Sequence, residues 1–494
     1  MIVEEEVAPT RGRIAPDVKL YIGDEVLDKG SAGSYGHINP TSGKVDNDIP
    51  LGGKAEVDKA VAIAKEAYKS WRKVKPEEKA RLLYKLADLV EENKEEFMRR
   101  CVLDNGIAIS GGAFTVEKTV SWIRYYAGWQ GKLSGEVTNS LTDSGEFGYT
   151  QLEPYGVVGI IITWNGPLVS LAMKIPAAVL AGNTVVVKPS ELTPYSGDLF
   201  AQLVKKAGFP AGVINILTGN KEAGESLVAH KDVKLISFTG GPVTAKSILK
   251  SAAETFKPTI LELGGKSANI IFDDADLDFA CSMGTFMSVA AMTGQGCAFP
   301  TRMLVQQSIY EKVVERVKTL AESYVVGDPF DPNTTLGPVI NKASYDKILG
   351  MIERAKKDGA RLVTGGGPVG GDLEGGYYIQ PTVFADVDPY SELAQVEVFG
   401  PVLSIIPFKT EEEAIEIANA TEYGLSGYIQ TNDINKALRV SEQLITGDVH
   451  INNYDLIAEG RPYGGWGYSG IGKEGGKAGI EDFTRVKAVG IKVK

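Results

Sequence analysis

The stretch GVVGIIITWNGPLVSLAMKIPAAVLAGNTVVVK, residues 156–188, decides the fold class. It contains an apolar run at Val157–Thr163, a helical pattern at Leu168–Ala181 and a second apolar run at Thr184–Lys188. Parallel strands need a crossover connection, usually a helix, so this order predicts a strand–helix–strand unit. The stretch therefore indicates an α/β fold with a parallel sheet.

The same alternation continues toward the C-terminus. Helical patterns and apolar runs follow each other at Tyr195–Ala207, Val213–Thr218, Lys221–His230, Leu235–Thr239 and Val243–Ala253. Before the sheet, helices are predicted at Glu56–Trp71 and from Pro76 to Asn105. Ligands of such sheets bind beyond the carboxyl ends of the strands, so we expect a site there.

A second alternating region follows an apolar helix predicted at Leu277–Thr293. Its predicted strands are Arg302–Val305, Val402–Pro407, Leu425–Gln430 and Asp448–Asn452, with helices at Ser308–Val325 and Glu411–Ala420. At about 150 residues per domain, 494 residues allow a second α/β domain. We place the first domain at residues 1–135 and 155–263 and the second at 264–470.

Two polar, alternating segments stand apart from these domains. Glu136–Glu153 has the pattern of a hairpin, and Thr484–Lys494 that of an edge strand. We predict that residues 136–154 and 478–494 form an arm that can pair with another subunit.

Composition excludes several classes of protein. The chain has 52 basic and 63 acidic residues, a net charge of −11, and 43% hydrophobic residues. Such a balance is typical of a globular protein and argues against binding to nucleic acid or to an anionic membrane. Apolar runs are far shorter than the roughly 20 residues of a membrane span. The acidic start, Met1–Pro9, lacks the pattern of a signal peptide.

The cysteine and histidine counts are low. Three cysteines exclude a disulfide scaffold or a four-thiolate zinc site. Three histidines, His37, His230 and His450, show no helical pairing, so neither a histidine metal site nor a Ser-His-Asp hydrolase is favoured. We expect a soluble, cytoplasmic protein without a metal.

Glycine-rich segments suggest a rival function. Gly240–Ser247 follows a strand, opens a helix and misses a P-loop only at Ala245. The apolar run Asn269–Asp274 ends in an Asp that could hold magnesium, so a P-loop NTPase is an alternative. Gly465–Gly470 and Gly470–Gly475 match G-x-G-x-x-G, but neither opens a strand–helix–strand unit, and we interpret both as loops.

Three residues carry candidate chemistry. Glu262 ends an apolar strand; it is either a solvated carboxylate or a base whose pKa is raised by apolar neighbours. Cys297 follows Gly294 and Gly296 in a loop; it is either a small core residue or a nucleophile whose pKa a few amides and one nearby cation could lower from about 8.5 to about 7. Asn165 either forms a turn or donates to an oxyanion.

The motifs together resemble the aldehyde dehydrogenase superfamily. They occur in that family's order from about His37 to the C-terminus: Thr163-Trp-Asn-Gly-Pro167, Lys188-Pro-Ser-Glu191, Phe238-Thr-Gly240, Leu261-Glu-Leu-Gly-Gly-Lys266, Gly294-Gln-Gly-Cys297, Glu397-Val-Phe-Gly-Pro401 and Ser469-Gly-Ile-Gly-Lys-Glu474. The resemblance implies a Rossmann-like NAD-binding domain, a catalytic α/β domain and a β oligomerisation arm, in a homodimer or homotetramer.

The resemblance also implies a mechanism. Cys297 attacks the aldehyde, and Asn165 with the Cys297 N–H holds the oxyanion. Hydride transfer leaves a thioester, which Glu262 hydrolyses by activating water. A carboxylate at the Glu262 position favours hydrolysis over transfer to coenzyme A. Lys174 and Glu474 match proton-relay positions, with a surface ion pair as the other interpretation.

The cofactor and substrate positions follow from the same resemblance. The implied cofactor contacts are Thr163, Trp164, Lys188, Glu191, Gly240, Gly241, Glu397 and Phe399. Glu191 favours NAD over NADP, because its carboxylate repels a 2′-phosphate. Trp164, Met173, Phe299, Leu456 and Ile457 suggest an apolar substrate tunnel for a medium-chain, aromatic or terpenoid aldehyde, with Tyr454 and Tyr463 close by. Arg461 leaves a carboxylate-bearing semialdehyde as an alternative.

Overall fold

The computed structural model describes residues 13–139 and 145–492. The predictions for Met1–Pro9, for the turn of the hairpin and for the last two residues therefore lie outside the described residues.

Twenty-two strands occur in the described part of the chain. The first half are β1 (Leu20–Ile22), β2 (Glu25–Leu27), β3 (Ser34–Asn39), β4 (Lys44–Pro50), β5 (Val137–Asn139), β6 (Glu146–Pro154), β7 (Val157–Ile161), β8 (Thr184–Lys188), β9 (Ile214–Ile216), β10 (Val233–Thr239) and β11 (Thr259–Glu262). The second half are β12 (Ala268–Ile271), β13 (Arg302–Gln306), β14 (Arg361–Thr364), β15 (Thr382–Ala385), β16 (Val402–Phe408), β17 (Tyr423–Gly424), β18 (Ser426–Gln430), β19 (Asp448–Ile451), β20 (Trp466–Gly467), β21 (Gly470–Ile471) and β22 (Thr484–Lys492).

The helices lie between these strands. They are α1 (Lys54–Trp71), α2 (Pro76–Glu92), α3 (Lys94–Asn105), α4 (Ile109–Ala127), α5 (Pro167–Leu180), α6 (Tyr195–Ala207), α7 (Lys221–Ala229), α8 (Pro242–Ala253), α9 (Leu277–Thr285), α10 (Tyr310–Ser323), α11 (Lys342–Lys357), α12 (Glu392–Gln395), α13 (Glu411–Asn419), α14 (Ile434–Gln443) and α15 (Gly476–Glu481). Among the described residues, no helix is both long and apolar enough to cross a bilayer.

The first sheet has the order β2-β1-β9-β8-β7-β10-β11-β21. Strands β9, β8, β7, β10 and β11 are parallel, which confirms the predicted parallel sheet. Every residue of β7 and β8 is buried, as expected where helices cover both faces of a sheet. The antiparallel additions, β1 beside β9 and β21 beside β11, were not predicted.

The second sheet has the order β14-β15-β16-β13-β12-β18-β19. Its strands are parallel except for β14, which confirms a second α/β unit. The chain leaves the first sheet after Glu262 and enters the second at Ala268. Residues 263–267 therefore join the carboxyl edge of one sheet to the other, and the candidate site is built around this connection.

A third, antiparallel sheet has the order β22-β6-β5. Strand β6 pairs with β5 and with the whole of β22, from Thr484 opposite Pro154 to Lys492 opposite Glu146. The predicted hairpin and the predicted C-terminal edge strand are confirmed.

Two predicted helices are interrupted. The helix predicted from Pro76 to Asn105 is two helices, because the Asn93 side chain donates to the Leu89 carbonyl at 2.7 Å and ends α2. The helix predicted at Leu277–Thr293 ends at Thr285, and a π-helical turn follows at Phe286–Ala290.

Candidate active site

Two glycines of the connection between the sheets bring the site together. An added Cβ on Gly264 would meet the Glu397 carboxylate, and one on Gly265 would meet the Cys297 carbonyl oxygen, both closer than the 3.0 Å that real Cβ atoms respect. The Gly265 N–H also donates to Glu397 Oε1 at 2.9 Å. The pair of glycines is therefore required so that Glu262, Cys297 and Glu397 can lie around one connection.

The loop that carries Cys297 is strained. Met292 and Thr293 have φ values of 47° and 54°, in the left-handed region that β-branched residues avoid. The Thr293 hydroxyl donates to the Gly337 carbonyl at 3.1 Å, and Gly294, with φ of 70°, lies against the Gly400 carbonyl. Backbone strain of this kind persists where the surroundings fix a functional loop.

Cys297 is a partly buried residue whose sulfur lies 3.1 Å from the Tyr463 hydroxyl. Burial raises the pKa of its thiol to about 11; the Tyr463 hydrogen bond lowers it, and the carboxylates of Glu397 and Glu262 raise it. The expected nearby cation is therefore wrong: the charged groups that act on this thiol are negative. The free protein holds Cys297 as a neutral thiol.

Asn165 lies on the turn between β7 and α5. Its side-chain N–H donates to the Gln295 carbonyl at 2.8 Å, and its oxygen accepts from the Thr163 hydroxyl at 2.7 Å. An amide nitrogen carries two hydrogens, and Gln295 is the only acceptor for them in the described chain. The structure thus places Asn165 against the loop of Cys297, with Thr163 orienting it.

Glu262 ends β11 and is 3% exposed. Neither carboxylate oxygen has a hydrogen-bond partner within the described ranges. Burial, then the charge of Glu474, raises its pKa well above the ordinary value, against the smaller effects of Lys174 and Lys473. The predicted rise in its pKa is confirmed.

Lys174 and Glu474 form a buried ion pair next to Glu262. The Lys174 ammonium donates to Glu474 and to the Ser237 hydroxyl, the latter at 3.0 Å. Their side chains are 0% and 2% exposed, so the alternative of a surface ion pair is wrong. Removal of one partner of such a buried pair leaves the other charge uncompensated, which costs about 3–5 kcal/mol.

The residues assigned to the adenosine end lie at the carboxyl edge of the first sheet. Lys188 ends β8; its ammonium donates to the carbonyls of Gly219 and, at 3.1 Å, Pro189, and it lies 3.7 Å from Glu191. Burial lowers the Lys188 pKa. Gly240 and Gly241 follow β10 and open α8, and an added Cβ on Gly241 would meet no atom within 4 Å. This start of a helix leaves open space for a phosphate group.

The residues assigned to the nicotinamide end lie on the other side of the connection. Burial raises the pKa of Glu397. Phe399 has a φ of 58°, and its ring meets that of Trp164 edge-on, with 5.3 Å between the centroids. Trp164 and Phe399 thus form one aromatic wall at the junction of the sheets.

The P-loop alternative is wrong. Gly240 follows a strand of the first sheet, whereas Asn269–Ile271 lies in the second sheet. Asp274 accepts from the Thr431 hydroxyl at 2.8 Å, and Lys246 lies 4.5 Å above the Tyr468 ring. The two halves of the expected nucleotide site are therefore not together. No cluster of three or more metal-ligating side chains occurs in residues 13–139 and 145–492.

The predicted substrate residues are apolar side chains that are buried or half-buried. Met173 and Phe299 are buried, and the half-buried Leu456 and Ile457 pack on the same core as Cys297. Arg461 does not extend freely: its guanidinium donates to the Asp455 carbonyl and lies 3.5 Å from His450 Nδ1.

The sequence placed Tyr463 only close to the substrate tunnel, and it indicated neither the contact of Tyr463 with the sulfur nor the role of Gly464. The Tyr463 hydroxyl contacts the sulfur, and an added Cβ on Gly464 would collide with a Glu262 carboxylate oxygen. Tyr463 also pairs with Glu474 in an isolated antiparallel bridge. No pattern around Tyr463 distinguishes it from a loop tyrosine, since these contacts join residues far apart in the chain.

The site therefore lies where two α/β sheets are joined by a connection that follows Glu262 and packs on the loop of Cys297. The model described as the aldehyde dehydrogenase family matches residues 27–489, and the chain belongs to that family.

Similar proteins span the whole chain. An aldehyde dehydrogenase of Emericella nidulans is 42% identical over 95% of this chain and 94% of its own length. The mitochondrial aldehyde dehydrogenase of Rattus norvegicus is 40% identical over 96% of this chain and 92% of its own. The NAD+ complex of an aldehyde dehydrogenase from Bacillus cereus superposes with a TM-score of 0.94, at 38% identity, covering 99% of each chain.

Proposed function

We propose that this protein oxidises an aldehyde to its carboxylic acid with NAD, through a covalent intermediate on Cys297 that water hydrolyses. One observation carries the proposal: Gly264 and Gly265 pack the connection that begins at Glu262 directly against the Cys297 carbonyl and the Glu397 carboxylate. The nucleophile Cys297, the buried base Glu262 and the carboxylate of Glu397, which would hold the cofactor, are therefore neighbours, as this chemistry needs.

The first chemical step belongs to Cys297 and Asn165. The sulfur bonds to the aldehyde carbon, and the thiol proton leaves to the solvent. The carbonyl electron pair moves to oxygen, and the Asn165 amide and the Cys297 N–H donate to that oxyanion. The product on the enzyme is a thiohemiacetal.

NAD, when bound, supplies the hydride acceptor that converts the thiohemiacetal into a thioester. The residues present fit this cofactor: Lys188 and Glu191 stand at the adenosine end, Gly240 and Gly241 leave open space at the start of α8, and Glu397 and Phe399 line the other end. The Bacillus cereus relative binds NAD+, which supports the same assignment here. We assign cofactor binding to residues 1–135 and 155–263, and catalysis to residues 264–470.

Glu262 acts in the second half of the reaction. It takes a proton from water while the water oxygen attacks the thioester carbon; the C–S bond breaks and the carboxylic acid leaves. A base with a raised pKa suits this task near neutral pH. The buried Lys174–Glu474 pair adjoins Glu262 electrostatically and offers a route for the proton.

Glu191 makes NAD the preferred cofactor over NADP. Its carboxylate can accept from both ribose hydroxyls, but a 2′-phosphate at about 4 Å would be repelled by roughly 4 kcal/mol at an effective dielectric near 20. Steady-state assays with both cofactors test this. A kcat/KM for NAD at least about tenfold higher agrees with the proposal, whereas equal values contradict it.

We propose an apolar medium-chain, aromatic or terpenoid aldehyde as substrate, because the predicted tunnel residues Met173, Phe299, Leu456 and Ile457 are apolar, and Leu456 and Ile457 pack on the same core as Cys297. The Arg461 guanidinium already donates to the Asp455 carbonyl. This hydrogen bond argues against a semialdehyde substrate, whose carboxylate would need that guanidinium. A panel of benzaldehyde, an aliphatic series and succinic semialdehyde tests this choice. Clear preference for the semialdehyde would overturn it.

The reaction itself is tested with Cys297→Ala. We expect NADH formation from any aldehyde of the panel to be abolished, while the variant keeps its fold by circular dichroism. Cys281→Ala is the matched control, because Cys281 is buried within the second α/β unit. Near-normal turnover by Cys297→Ala refutes the mechanism.

A further inference from the structure

The hydroxyl of Tyr463 has one described partner, the sulfur of Cys297. The two atoms are 3.1 Å apart, and Tyr463 is 6% exposed. Either atom could be the donor in the neutral state. Once the sulfur is ionised, however, only the phenol has a hydrogen to donate.

The backbone fixes this hydroxyl in place. The Tyr463 N–H donates to the Glu474 carbonyl at 2.5 Å, and its carbonyl accepts from the Glu474 N–H at 2.7 Å. The next residue, Gly464, lies against the Glu262 carboxylate. One short segment therefore touches the sulfur, the candidate base and the buried ion pair.

One other described donor favours the thiolate, the Ala298 N–H, and its effect on the Cys297 pKa is smaller than that of the Tyr463 hydroxyl. Glu397 and Glu262 both oppose ionisation of Cys297, and no described cation acts on it appreciably. Burial and the neighbouring acidic groups raise the Tyr463 pKa well above its ordinary value, so the phenol keeps its proton. A hydrogen bond to a charged acceptor is roughly twice as strong as a neutral one, so this contact strengthens as the thiolate forms.

We propose that Tyr463 is a catalytic residue, which donates its phenolic hydrogen to Cys297 Sγ and stabilises the thiolate in the place of a cation. The inference rests on the proposed function, in which this thiolate attacks the aldehyde. The same hydrogen bond acts again when the C–S bond of the thioester breaks and the electron pair returns to sulfur. The phenol proton is shared in both steps and is not transferred.

The pH dependence of alkylation tests this inference on the full chain. Wild-type protein and Tyr463→Phe are treated with iodoacetamide between pH 6 and pH 11 (roughly the range in which thiols ionise), and the labelled Cys297 peptide is followed by mass spectrometry. We expect the whole profile of rate against pH to be displaced to higher pH in Tyr463→Phe, so that the rate at a given pH falls about tenfold, as loss of a charged hydrogen bond requires. Tyr310→Phe, which removes a buried hydroxyl in another core, should leave the profile unchanged.

A second variant keeps the test independent of folding defects in Tyr463→Phe. 3-Fluorotyrosine placed at position 463 keeps the ring and makes the hydroxyl a stronger donor, so the profile of rate against pH should move to lower pH. Profiles that match the wild type with both replacements overturn the role of Tyr463.

The two proposals fail differently. If alkylation of Cys297 leaves aldehyde oxidation intact in the wild type, the proposed function is wrong. If alkylation abolishes oxidation but neither replacement at Tyr463 moves the profile, the function stands and only the role of Tyr463 is wrong.

Discussion

At the scale of single residues, the site is built from groups that resist ionisation. Burial raises the pKa values of both Cys297 and Glu262. The carboxylates of Glu397 and Glu262 raise the pKa of Cys297 further. The nucleophile and the base therefore begin neutral, and both need a proton removed before they can act. Turnover should accordingly increase as pH rises above neutral.

The buried Glu262 also makes a prediction for stability. A carboxyl whose pKa is higher in the folded than in the unfolded state contributes stability that is complete below its unfolded pKa and is lost as pH rises through its folded pKa. Glu262→Gln removes this titration and keeps the shape of the side chain.

We therefore expect the midpoint of thermal unfolding of Glu262→Gln to exceed that of the wild type by a margin that grows from pH 5 to pH 9 (roughly the window above the unfolded pKa of about 4.3). Differential scanning calorimetry at several pH values measures it. Glu353→Gln, at an exposed position on α11, is the control without such a trend. A margin that shrinks with pH contradicts the burial argument.

Individual residues could be predicted where the local sequence is informative. The apolar neighbours of Glu262, for example, indicated a raised pKa for its carboxyl group. The charge around Cys297 could not be predicted, because Glu397 and Tyr463 come from segments far along the chain. The expectation of a cation there failed for this reason.

At the scale of elements, the connection between the sheets controls the chemistry. Gly265 has no room for a side chain, because the Cys297 carbonyl lies where its Cβ would be. Because this carbonyl belongs to the backbone, it cannot rotate away as a flexible side chain could. A substitution at Gly265 therefore has to displace the loop that carries Cys297.

Gly265→Ala should therefore lower kcat by about 100-fold, the effect expected from a displacement of about 1 Å in a catalytic group. Gly370→Ala is the control, because its Cβ would meet nothing within 4 Å. Steady-state kinetics with benzaldehyde compare the two. Wild-type turnover by Gly265→Ala would show that the packing of this connection does not position the nucleophile.

The sequence predicted the regular helices and strands well, but it did not predict where they are interrupted. β8 has the predicted bounds Thr184–Lys188, since a β-branched run between turn residues is a local signal. The π-helical turn and the left-handed Met292 and Thr293 interrupt an apolar sequence that reads as one helix. Tertiary contacts, such as that between Thr293 and Gly337, set this conformation.

At the scale of the whole molecule, the sheet β22-β6-β5 is the candidate surface for self-association. It presents exposed apolar side chains, among them Val486 at 68% and Ile491 at 43% exposure. Together with β6 and β5, this tail forms the arm that the sequence predicted, and its pairing with another subunit stays a prediction.

Val486→Asp tests that pairing. We expect the wild type to be a dimer or tetramer and the variant to be shifted toward monomer, because an unpaired charge in an interface costs several kcal/mol. Light scattering after size-exclusion chromatography measures the mass. Val45→Asp, equally exposed on β4, should keep the wild-type mass. If Val486→Asp keeps it as well, the arm is not the interface.

The central claim is that Cys297 carries the acyl group and Glu262 releases it, and trapping tests this most directly. Glu262→Gln is mixed with NAD and benzaldehyde, quenched in acid and mapped by peptide mass spectrometry. We predict a benzoyl group on the Cys297 peptide, a single burst of NADH, and steady-state turnover reduced by about 10²–10⁴-fold, as loss of a general base requires. Undiminished turnover with no acyl group on that peptide would contradict the account.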